Sequence, residues 1–200
     1  MHPKAPERQE SVLLNNGGVL VAIDVVEYSE QWPIDFEIVA EALWSALTRV
    51  PVRTVEHVGS TAVPGLAAKP VLDIDVIVTG EHVPDTIKAL EAVGYAHRGD
   101  FGITGREAFD APDAAPVRHV YVCTEGTLHL RNHLEVRRVL RERPDLRNQY
   151  AAVKLELARD PHMDSTRYVA GKSAVLQEVL SLSDLTEPEK AEIFRLNSGG

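Results

Sequence analysis

The sequence predicts an α+β fold in which a sheet-forming half is followed by a helical half. Segments rich in β-branched residues recur through the first half, and Val71–Val78 is the most pronounced of them. After Gly126 the apolar residues follow helical spacing to the end, with breaks at prolines 144, 161 and 188. A chain of 200 residues, 44% of them hydrophobic, can bury a core without a metal or a disulfide.

The first predicted elements are an arm, a strand and a helix. Residues 1–18 are polar and contain an Asn-Gly turn signal, which predicts a loose N-terminal arm. The apolar, β-branched segment Val19–Val26 predicts a strand. Ser29 provides an N-cap, and Pro33 suits the first turn of a helix that extends to about residue 48.

The elements that follow alternate between strands and helices. We expect strands over Arg53–Val58 and Val71–Val78, joined by a connection rich in glycine and proline. Pro84 begins a helix that Gly94 ends. The remaining predicted elements are strands near Tyr95–His97, Gly105–Phe109 and Val117–Val122 and helices over 127–142, 144–159, 164–182 and 187–196. The chain is thus divided into an arm (1–18), an α/β core (19–126) and a helical part of the same domain (127–196).

The composition limits the partners and the compartment. A net charge of −9 argues against general nucleic-acid binding. The single cysteine, Cys123, excludes an intramolecular disulfide and suits a reducing compartment. The longest apolar run, Val19–Ile23, is too short to span a bilayer, and no signal segment opens the chain. We therefore predict a cytoplasmic protein without a membrane partner.

Two carboxylates lie in the strand predicted over Val71–Val78. Asp73 and Asp75 are two residues apart, so both side chains leave the same face of the strand. Two such carboxylates repel each other and are costly to desolvate, and a divalent cation removes that cost. Mg²⁺ takes one or two carboxylates together with substrate phosphate oxygens. The pair predicts a site for Mg²⁺ or Mn²⁺, and an Asp-x-Asp without function is the alternative.

A Gly-Ser turn precedes this strand. Gly59 and Ser60 end one strand, and the chain turns at once into a helical segment that contains Thr61. Glycine lets backbone N–H groups approach a phosphate, and a helix start adds the positive end of a dipole. A phosphate cradle followed by a metal-binding Asp pair is the arrangement that metal-dependent phosphoryl or nucleotidyl transfer needs. An ordinary turn is the alternative.

The segment His57–Pro70 (His-Val-Gly-Ser-Thr-Ala-Val-Pro-Gly-Leu-Ala-Ala-Lys-Pro), followed by Asp73, resembles the signature of the GrpB family. The resemblance covers about residues 24–182. Further matching positions are Tyr28, Trp32, Phe36, Glu37, Gly94, Tyr95, Arg106, Asn132, His133, Arg137, Tyr150, Lys154, Tyr168 and Lys172.

The resemblance implies a nucleotidyltransferase-like fold, with a mixed sheet, flanking helices and a C-terminal helical bundle. It also implies the polymerase-β-type pattern of Gly-Ser, Asp-x-Asp and a third carboxylate on a later strand. The strand at Val117–Val122 offers His119 in place of that third acid. Either His119 replaces the acid in a Mg²⁺-dependent nucleotidyl or phosphoryl transferase, or the fold binds a nucleotide- or coenzyme-A-type ligand without catalysis.

The transferase hypothesis assigns roles to individual residues. Asp73, Asp75 and His119 are the predicted catalytic residues, the two aspartates also hold the metal, and His119 stands near the acceptor. A guanidinium group can bind two oxygens of a phosphate, which favours arginines as ligands. The residues predicted to bind phosphate or substrate are Gly59, Ser60, Thr61, Lys69, Arg106, Arg118, His133, Arg137 and Lys172.

A pair of histidines gives a third hypothesis. His129 and His133 are four residues apart and could bind a metal from one helix face. No glutamate lies between them in the arrangement of zinc proteases, so a zinc hydrolase is the less favoured hypothesis. His57 is interpreted as a structural hydrogen-bonding residue, and Cys123 as an inert buried thiol.

Overall fold

The computed structural model describes residues 23–197. The predicted arm at residues 1–18 and residues 19–22 of the first predicted strand lie outside this range. Val26 forms a single antiparallel bridge with Ala68, in which both backbone hydrogen bonds are 2.9 Å long. Residues 23–26 pair with the connection that contains Ala68 at this one residue only. They therefore do not form the predicted strand.

Five strands of the described range form one mixed sheet. They are β1 (Val52–Val58), β2 (Leu72–Val78), β3 (Ala96–Gly99), β4 (Arg106–Asp110) and β5 (Arg118–Thr124). Their order across the sheet is β1-β2-β5-β4-β3. The central strands β2 and β5 are parallel, and the other neighbours are antiparallel. The parallel register places Asp73 opposite His119 and Asp75 opposite Tyr121.

Seven helices accompany the sheet in the described range. They are α1 (Gln31–Ala46), α2 (Val83–Ala92), α3 (Leu128–Glu142), α4 (Pro144–Ala158), α5 (Ser165–Gly171), α6 (Ser173–Ser181) and α7 (Glu187–Asn197). Short 3₁₀ helices span Ser60–Ala62 and Gly80–His82. None of the helices between residues 23 and 197 is both long enough and apolar enough to cross a membrane.

The single helix predicted over residues 164–182 is wrong, because α5 and α6 are separate helices. A Cβ atom at Gly171 would lie 2.6 Å from Leu157 of α4, so glycine allows α5 to pack closely against α4. Glycine also has a low helix propensity, which favours the end of α5 at this residue.

The two faces of β2 lie in different environments. Leu72, Ile74 and Val76 are buried in the main core with residues of α1 and α2. Asp73 and Asp75 leave the opposite face, which we call the Asp face. The connection after β1 packs its residues Val63 and Leu66 against α3, α4 and α6. The Asp face therefore adjoins the helical half of the chain.

The predicted α+β class, with a mixed sheet, flanking helices and a C-terminal helical region, is confirmed. Gly126 lies between the end of β5 and the start of α3. The division of the chain into an arm, a core and a helical part stays a prediction.

Candidate functional site

Asp73 and Asp75 each contact one histidine. His119 of β5 has its Nδ1 atom 3.0 Å from Asp73 Oδ1. His133 of α3 has its Nδ1 atom 2.9 Å from Asp75 Oδ2. Asp75 is fully buried, and its Oδ1 atom has no hydrogen-bond partner among the described residues. The structure therefore brings together the two aspartates and His119, and it adds His133 from the helical half.

The carboxylates change the protonation of both histidines. The hydrogen bond with Asp73 is the main cause that raises the pKa of His119. Burial alone would lower the pKa of His133, but the hydrogen bond and the charge of Asp75 outweigh burial and raise it. Each carboxylate therefore stabilises the protonated form of its histidine.

The Gly-Ser turn lies directly against Asp73. Gly59 has φ +69° and ψ −168°, a conformation that is nearly restricted to glycine. A Cβ atom at this position would lie 2.9 Å from the carboxyl carbon of Asp73. Ser60 then begins the 3₁₀ helix Ser60–Ala62. The turn thus combines left-handed backbone with close approach to the carboxylate.

Thr61 and His57 stabilise this turn. The Thr61 hydroxyl lies 3.0 Å from His57 Nε2 and donates to the carbonyl of Val71 at 3.2 Å. The His57 ring stacks on Phe36 with 4.8 Å between ring centroids. Burial lowers the pKa of His57 to about 4, so the ring is neutral at pH 7. These buried contacts give the Thr61 side chain a structural role, and its predicted role in phosphate binding stays a prediction.

A cavity of about 140 Å³ opens beside Asp73 and His119. Its lining residues are Ser60, Lys69, Val71, Asp73, His119, Lys154, Tyr168 and Lys172. We call it the lysine cavity, after its three lysine side chains. They come from the connection before β2, from α4 and from the junction between α5 and α6. The predicted residues Ser60, Lys69 and Lys172 therefore meet next to Asp73 and His119.

The three lysines of this cavity face aromatic rings. The Nζ atoms of Lys69 and Lys172 lie 4.6 Å and 4.5 Å from the ring centroid of Tyr168. Lys154 Nζ lies 4.4 Å from the ring centroid of Tyr150. Lys154 is only 1% exposed, and within the described range its Nζ atom has no hydrogen-bond partner. Between residues 23 and 197, no carboxylate forms an ion pair with any of the three amines.

Burial and neighbouring positive charges lower the pKa values of Lys154 and Lys172. Burial lowers the pKa of Lys154 to about 7, and the charge of Lys172 adds to this change. Burial also lowers the pKa of Lys172 to about 8, with a contribution from the charge of Lys69. The charge of Asp73, which lines the same cavity, opposes the change at Lys172. A bound anion would add further negative charge and favour the protonated amines. The cavity is therefore suited to an anion such as phosphate.

A second cluster also contains Asp75. One ligand atom each from Asp75, His129 and His133 lie within 4.8 Å of one another. The rings of His129 and His133 have their centroids 4.0 Å apart. Burial lowers the pKa of His129 to about 3, and the charges of His133 and Arg106 contribute. His129 is therefore a neutral imidazole at pH 7.

Arg106 lies near the Asp pair and near the cluster of Asp75, His129 and His133. Its guanidinium carbon is 4.8 Å from the ring centroid of Tyr121 on β5, and Nη2 donates to the Asp100 carbonyl at 3.4 Å. Its Nε atom is buried and finds no hydrogen-bond partner in the described part of the chain. The charge of Arg106 acts on the pKa values of His119 and His129, which places it close to the Asp pair.

Arg118 and Arg137 have partners elsewhere. Arg118 Nη1 donates to Asp113 at 2.6 Å and to the Pro116 carbonyl at 3.0 Å, on the strand face opposite to that of its neighbour His119. Arg137 Nη1 donates to Glu56 at 2.8 Å and to a backbone carbonyl of β1. The structure does not bring either arginine into the lysine cavity.

Lys154 is the residue of this site that the sequence hypothesis did not include among the ligands. A signal was present, because Leu146, Tyr150 and Lys154 are spaced by four residues and are all buried in α4. Lysine on an apolar stripe usually extends its amine to solvent, so the pattern alone did not indicate a buried amine.

Comparisons with known proteins agree with this fold. The family model described as GrpB protein matches residues 22–182. A UPF0157 protein of Halalkalibacterium halodurans is 35% identical over 171 residues, which cover 82% of this chain and 84% of that protein. The chain is also similar to a crystal structure of the conserved protein GrpB from Enterococcus faecalis. That match has a TM-score of 0.63 and 33% identity, and covers 78% of this chain and 99% of the other.

A more distant similarity concerns the fold alone. A chain in the structure of the GLD-2/RNP-8 complex has a TM-score of 0.51 and 13% identity, and the match covers 87% of this chain and 69% of that chain. The predicted nucleotidyltransferase-like fold and the resemblance stated from the sequence are confirmed.

Proposed function

We propose that this chain, a member of the GrpB family, binds a nucleotide or another phosphate-containing small molecule in the lysine cavity. It then transfers the nucleotidyl or phosphoryl group of that ligand to an acceptor. One observation carries this proposal. Three lysines that have no acidic partner in the described range line a cavity that also contains Ser60, Asp73 and His119.

The phosphate part of the proposal rests on charge and burial. Lys154 is buried with an amine that no described residue pairs, and Lys69 and Lys172 lie in the same small cavity. The carboxylate of Asp73 lines the same cavity, but a single negative charge offsets only part of the repulsion among three amines. Ser60 begins a short helical turn and supplies a hydroxyl on the same wall. A phosphate group would neutralise the amines and accept hydrogen bonds from both kinds of donor.

The Asp pair fits a divalent cation. The buried Asp75 Oδ1 atom has no hydrogen-bond partner between residues 23 and 197, and Asp73 projects from the same face of β2. A cation held by both carboxylates would satisfy this oxygen and reduce their repulsion. Mg²⁺ or Mn²⁺ there would supply electrostatic stabilisation of charge that develops on the transferred group.

His119 has the geometry of a proton acceptor for the incoming group. With its Nδ1–H donated to Asp73 Oδ1, Nε2 is the ring atom that accepts a proton. His119 also lines the lysine cavity, where a bound phosphate would lie. Asp73 thus orients the ring, and His119 would take the proton of an acceptor hydroxyl.

A second candidate function is the binding of a nucleotide- or coenzyme-A-type ligand without catalysis. The observation in its favour is that β5 presents His119 opposite Asp73, where the transferase pattern has a third carboxylate. A histidine bonded to Asp73 also competes with a cation for that carboxylate. The lysine cavity serves the ligand in both candidate functions.

Heat stabilisation by ligands tests these functions. The protein is heated with each common nucleoside triphosphate and with coenzyme A, with and without Mg²⁺ or Mn²⁺, and turnover is assayed in parallel. We expect stabilisation that depends on the metal and disappears in Asp73→Asn and Asp75→Asn. Asp85→Asn, on the exposed surface of α2, is the matched control and should behave as wild type. Stabilisation without turnover favours the binding function, and the absence of stabilisation by any ligand contradicts both.

A further inference from the structure

Three side chains that can bind a metal converge between β2 and α3. Asp75 comes from the strand, and His129 and His133 come from adjacent turns of the helix. Their potential ligand atoms lie within 4.8 Å of one another, a spread that a single ion can bridge after small side-chain rotations. The four-residue spacing of the histidines places both rings on one helix face.

Two members of this cluster have unmet hydrogen-bonding capacity. Asp75 Oδ1 and His129 Nε2 are both buried, and neither meets the geometry of a hydrogen bond in the part of the chain that the structure describes. Burial and the nearby Asp75 raise the pKa of the Cys123 thiol, so this thiol stays protonated beside the carboxylate. Buried polar atoms in native proteins are almost always paired, so an unpaired atom calls for an explanation. Here one unpaired atom from a strand and one from a helix belong to the same three-residue cluster. A cation would accept electron pairs from both.

The donor types select the class of metal. One carboxylate oxygen and two imidazole nitrogens suit Zn²⁺ and its neighbours Co²⁺, Ni²⁺ and Fe²⁺, whereas Mg²⁺ prefers oxygen ligands throughout. Three protein ligands leave a position for water or for a substrate oxygen. We propose that Asp75, His129 and His133 form a transition-metal site with one open position, specific for Zn²⁺-like ions over Mg²⁺.

The surroundings of the cluster support a defined site. Ile77, Cys123 and Leu130 form a buried apolar group, and Tyr121, which packs against this group, meets both histidine rings edge-on. Apolar walls restrict water and hold metal ligands in place. Arg106 brings a positive charge near the cluster, and the negative charges of the two aspartates offset it.

Metal titration in the absence of nucleotide tests the site. The full chain is stripped with a chelator and titrated by calorimetry with Zn²⁺, and separately with Co²⁺ while the visible absorption spectrum is recorded. We expect one equivalent of Zn²⁺ to bind, Co²⁺ to give the absorption bands of a nitrogen- and oxygen-ligated ion, and millimolar Mg²⁺ not to displace either.

Variants assign the ligands. His129→Gln should abolish Zn²⁺ binding and should still fold, because its Nε2 atom has no hydrogen bond to lose within the described range. His133→Gln should also abolish binding, and circular dichroism checks its fold. His162→Gln removes an exposed histidine outside the cluster and is the matched control, which should bind Zn²⁺ as wild type does. Absence of stoichiometric Zn²⁺ binding, or binding that His129→Gln leaves unchanged, overturns the proposal.

The two proposed metal sites share Asp75 and its Oδ1 atom, but they can be tested separately. Asp75 belongs to both proposed metal sites, but Asp73 belongs only to the site for Mg²⁺ or Mn²⁺. Asp73→Asn should therefore keep the binding of Zn²⁺ while it loses the metal-dependent stabilisation by nucleotides. A wild-type protein that binds Zn²⁺ but is not stabilised by any nucleotide would contradict only the phosphate function. Nucleotide stabilisation in a protein that binds no Zn²⁺ would contradict only the transition-metal site.

Discussion

The backbone of Gly59 and the carboxylate of Asp73 are in direct contact, because the turn after β1 folds over the start of β2. A Cβ atom at residue 59 would lie 2.9 Å from the carboxyl carbon of Asp73. Gly59 therefore has two reasons to be glycine: its positive φ and the space that the carboxylate occupies. The turn and the metal-binding strand form one unit, and a change in either alters the other.

The substitution Gly59→Ala should displace Asp73 and strain the turn. We expect the free energy of unfolding to fall by about 1–3 kcal/mol from backbone strain alone. The metal-dependent stabilisation by nucleotides should be lost as well, since the Asp73 carboxylate must move. Gly126→Ala is the control, because Gly126 also has a positive φ but no described residue would crowd its Cβ atom. Thermal melts with and without nucleotide check this, and a Gly59→Ala protein that keeps wild-type nucleotide stabilisation would contradict the contact.

The substitution Lys154→Met should increase stability and at the same time abolish phosphate binding. Removing a buried amine that no described residue pairs should raise the free energy of unfolding by about 1–3 kcal/mol. The same change should abolish binding of phosphate, which is measured by calorimetry with pyrophosphate. Lys88→Met, on the exposed face of α2, should change neither quantity appreciably. Phosphate binding that persists in Lys154→Met would show that the lysine cavity is not the binding site.

Phosphate binding should weaken as the pH rises above about 7. Burial holds the pKa of Lys154 at about 7 in the folded protein, and an anion favours the protonated amine. Binding should therefore take up a proton, and affinity should fall by up to about tenfold per pH unit for one proton. Calorimetry in buffers of different ionisation enthalpy measures this uptake. The titration of the ligand itself is measured without protein and subtracted, and an affinity that does not fall between pH 7 and pH 9 would be the contrary result.

The same pKa change has a consequence for folding. The unfolded chain keeps the ordinary lysine pKa of 10.5, so between about pH 7 and that value it binds more protons than the folded protein. The contribution of Lys154 to the free energy of unfolding should therefore rise with pH in this window. Denaturant titrations of wild type and Lys154→Met at pH 7 and pH 9 should show a smaller difference in stability at the higher pH. A difference that stays constant or grows between the two pH values would contradict a buried amine with a lowered pKa.

Arg137→Ala should loosen the Gly-Ser turn without removing a phosphate ligand. Arg137 connects α3 to Glu56 and to the carbonyl of His57, two residues before Gly59. Its loss should lower the free energy of unfolding by about 2–3 kcal/mol, as expected for charged hydrogen bonds. Arg138→Ala should cost much less, because its closest partners Glu135 and Glu142 are on the same helix and Asp184, at 3.6 Å, is exposed. A drop of more than about tenfold in phosphate affinity, under conditions where the variant is folded, would indicate direct contact with the ligand instead.

The sequence predicted the elements that depend on local patterns. Alternation within β2 was enough to place Asp73 and Asp75 on one face, and the structure shows both there. The resemblance predicted that His119 lies near the Asp pair. The parallel pairing of β2 with β5 places these residues next to each other. Of the strand predicted over Val19–Val26, the described residues 23–26 form only a single bridge, because strand pairing requires a partner segment that local sequence does not reveal.

Contacts between distant segments were beyond the sequence patterns. His133 and Asp75 are 58 residues apart and meet only because α3 packs over the sheet. Arg118 and Arg137 have the positive charge that phosphate binding requires. In the structure, however, their guanidinium groups are paired with nearby acids and carbonyls. Lys154 differs from these arginines, because the packing of α4 buries its amine in a cavity where no described acid pairs with it.

A crystal structure with a non-hydrolysable nucleoside triphosphate and Mn²⁺ tests the central claim most directly. The phosphate groups should occupy the lysine cavity, with an oxygen within hydrogen-bonding distance of Lys154 Nζ and another near the Ser60 hydroxyl. The anomalous signal of Mn²⁺ should lie at the carboxylates of Asp73 and Asp75. Phosphates bound outside the lysine cavity, or a cavity that excludes them at saturating ligand, would contradict the proposed function.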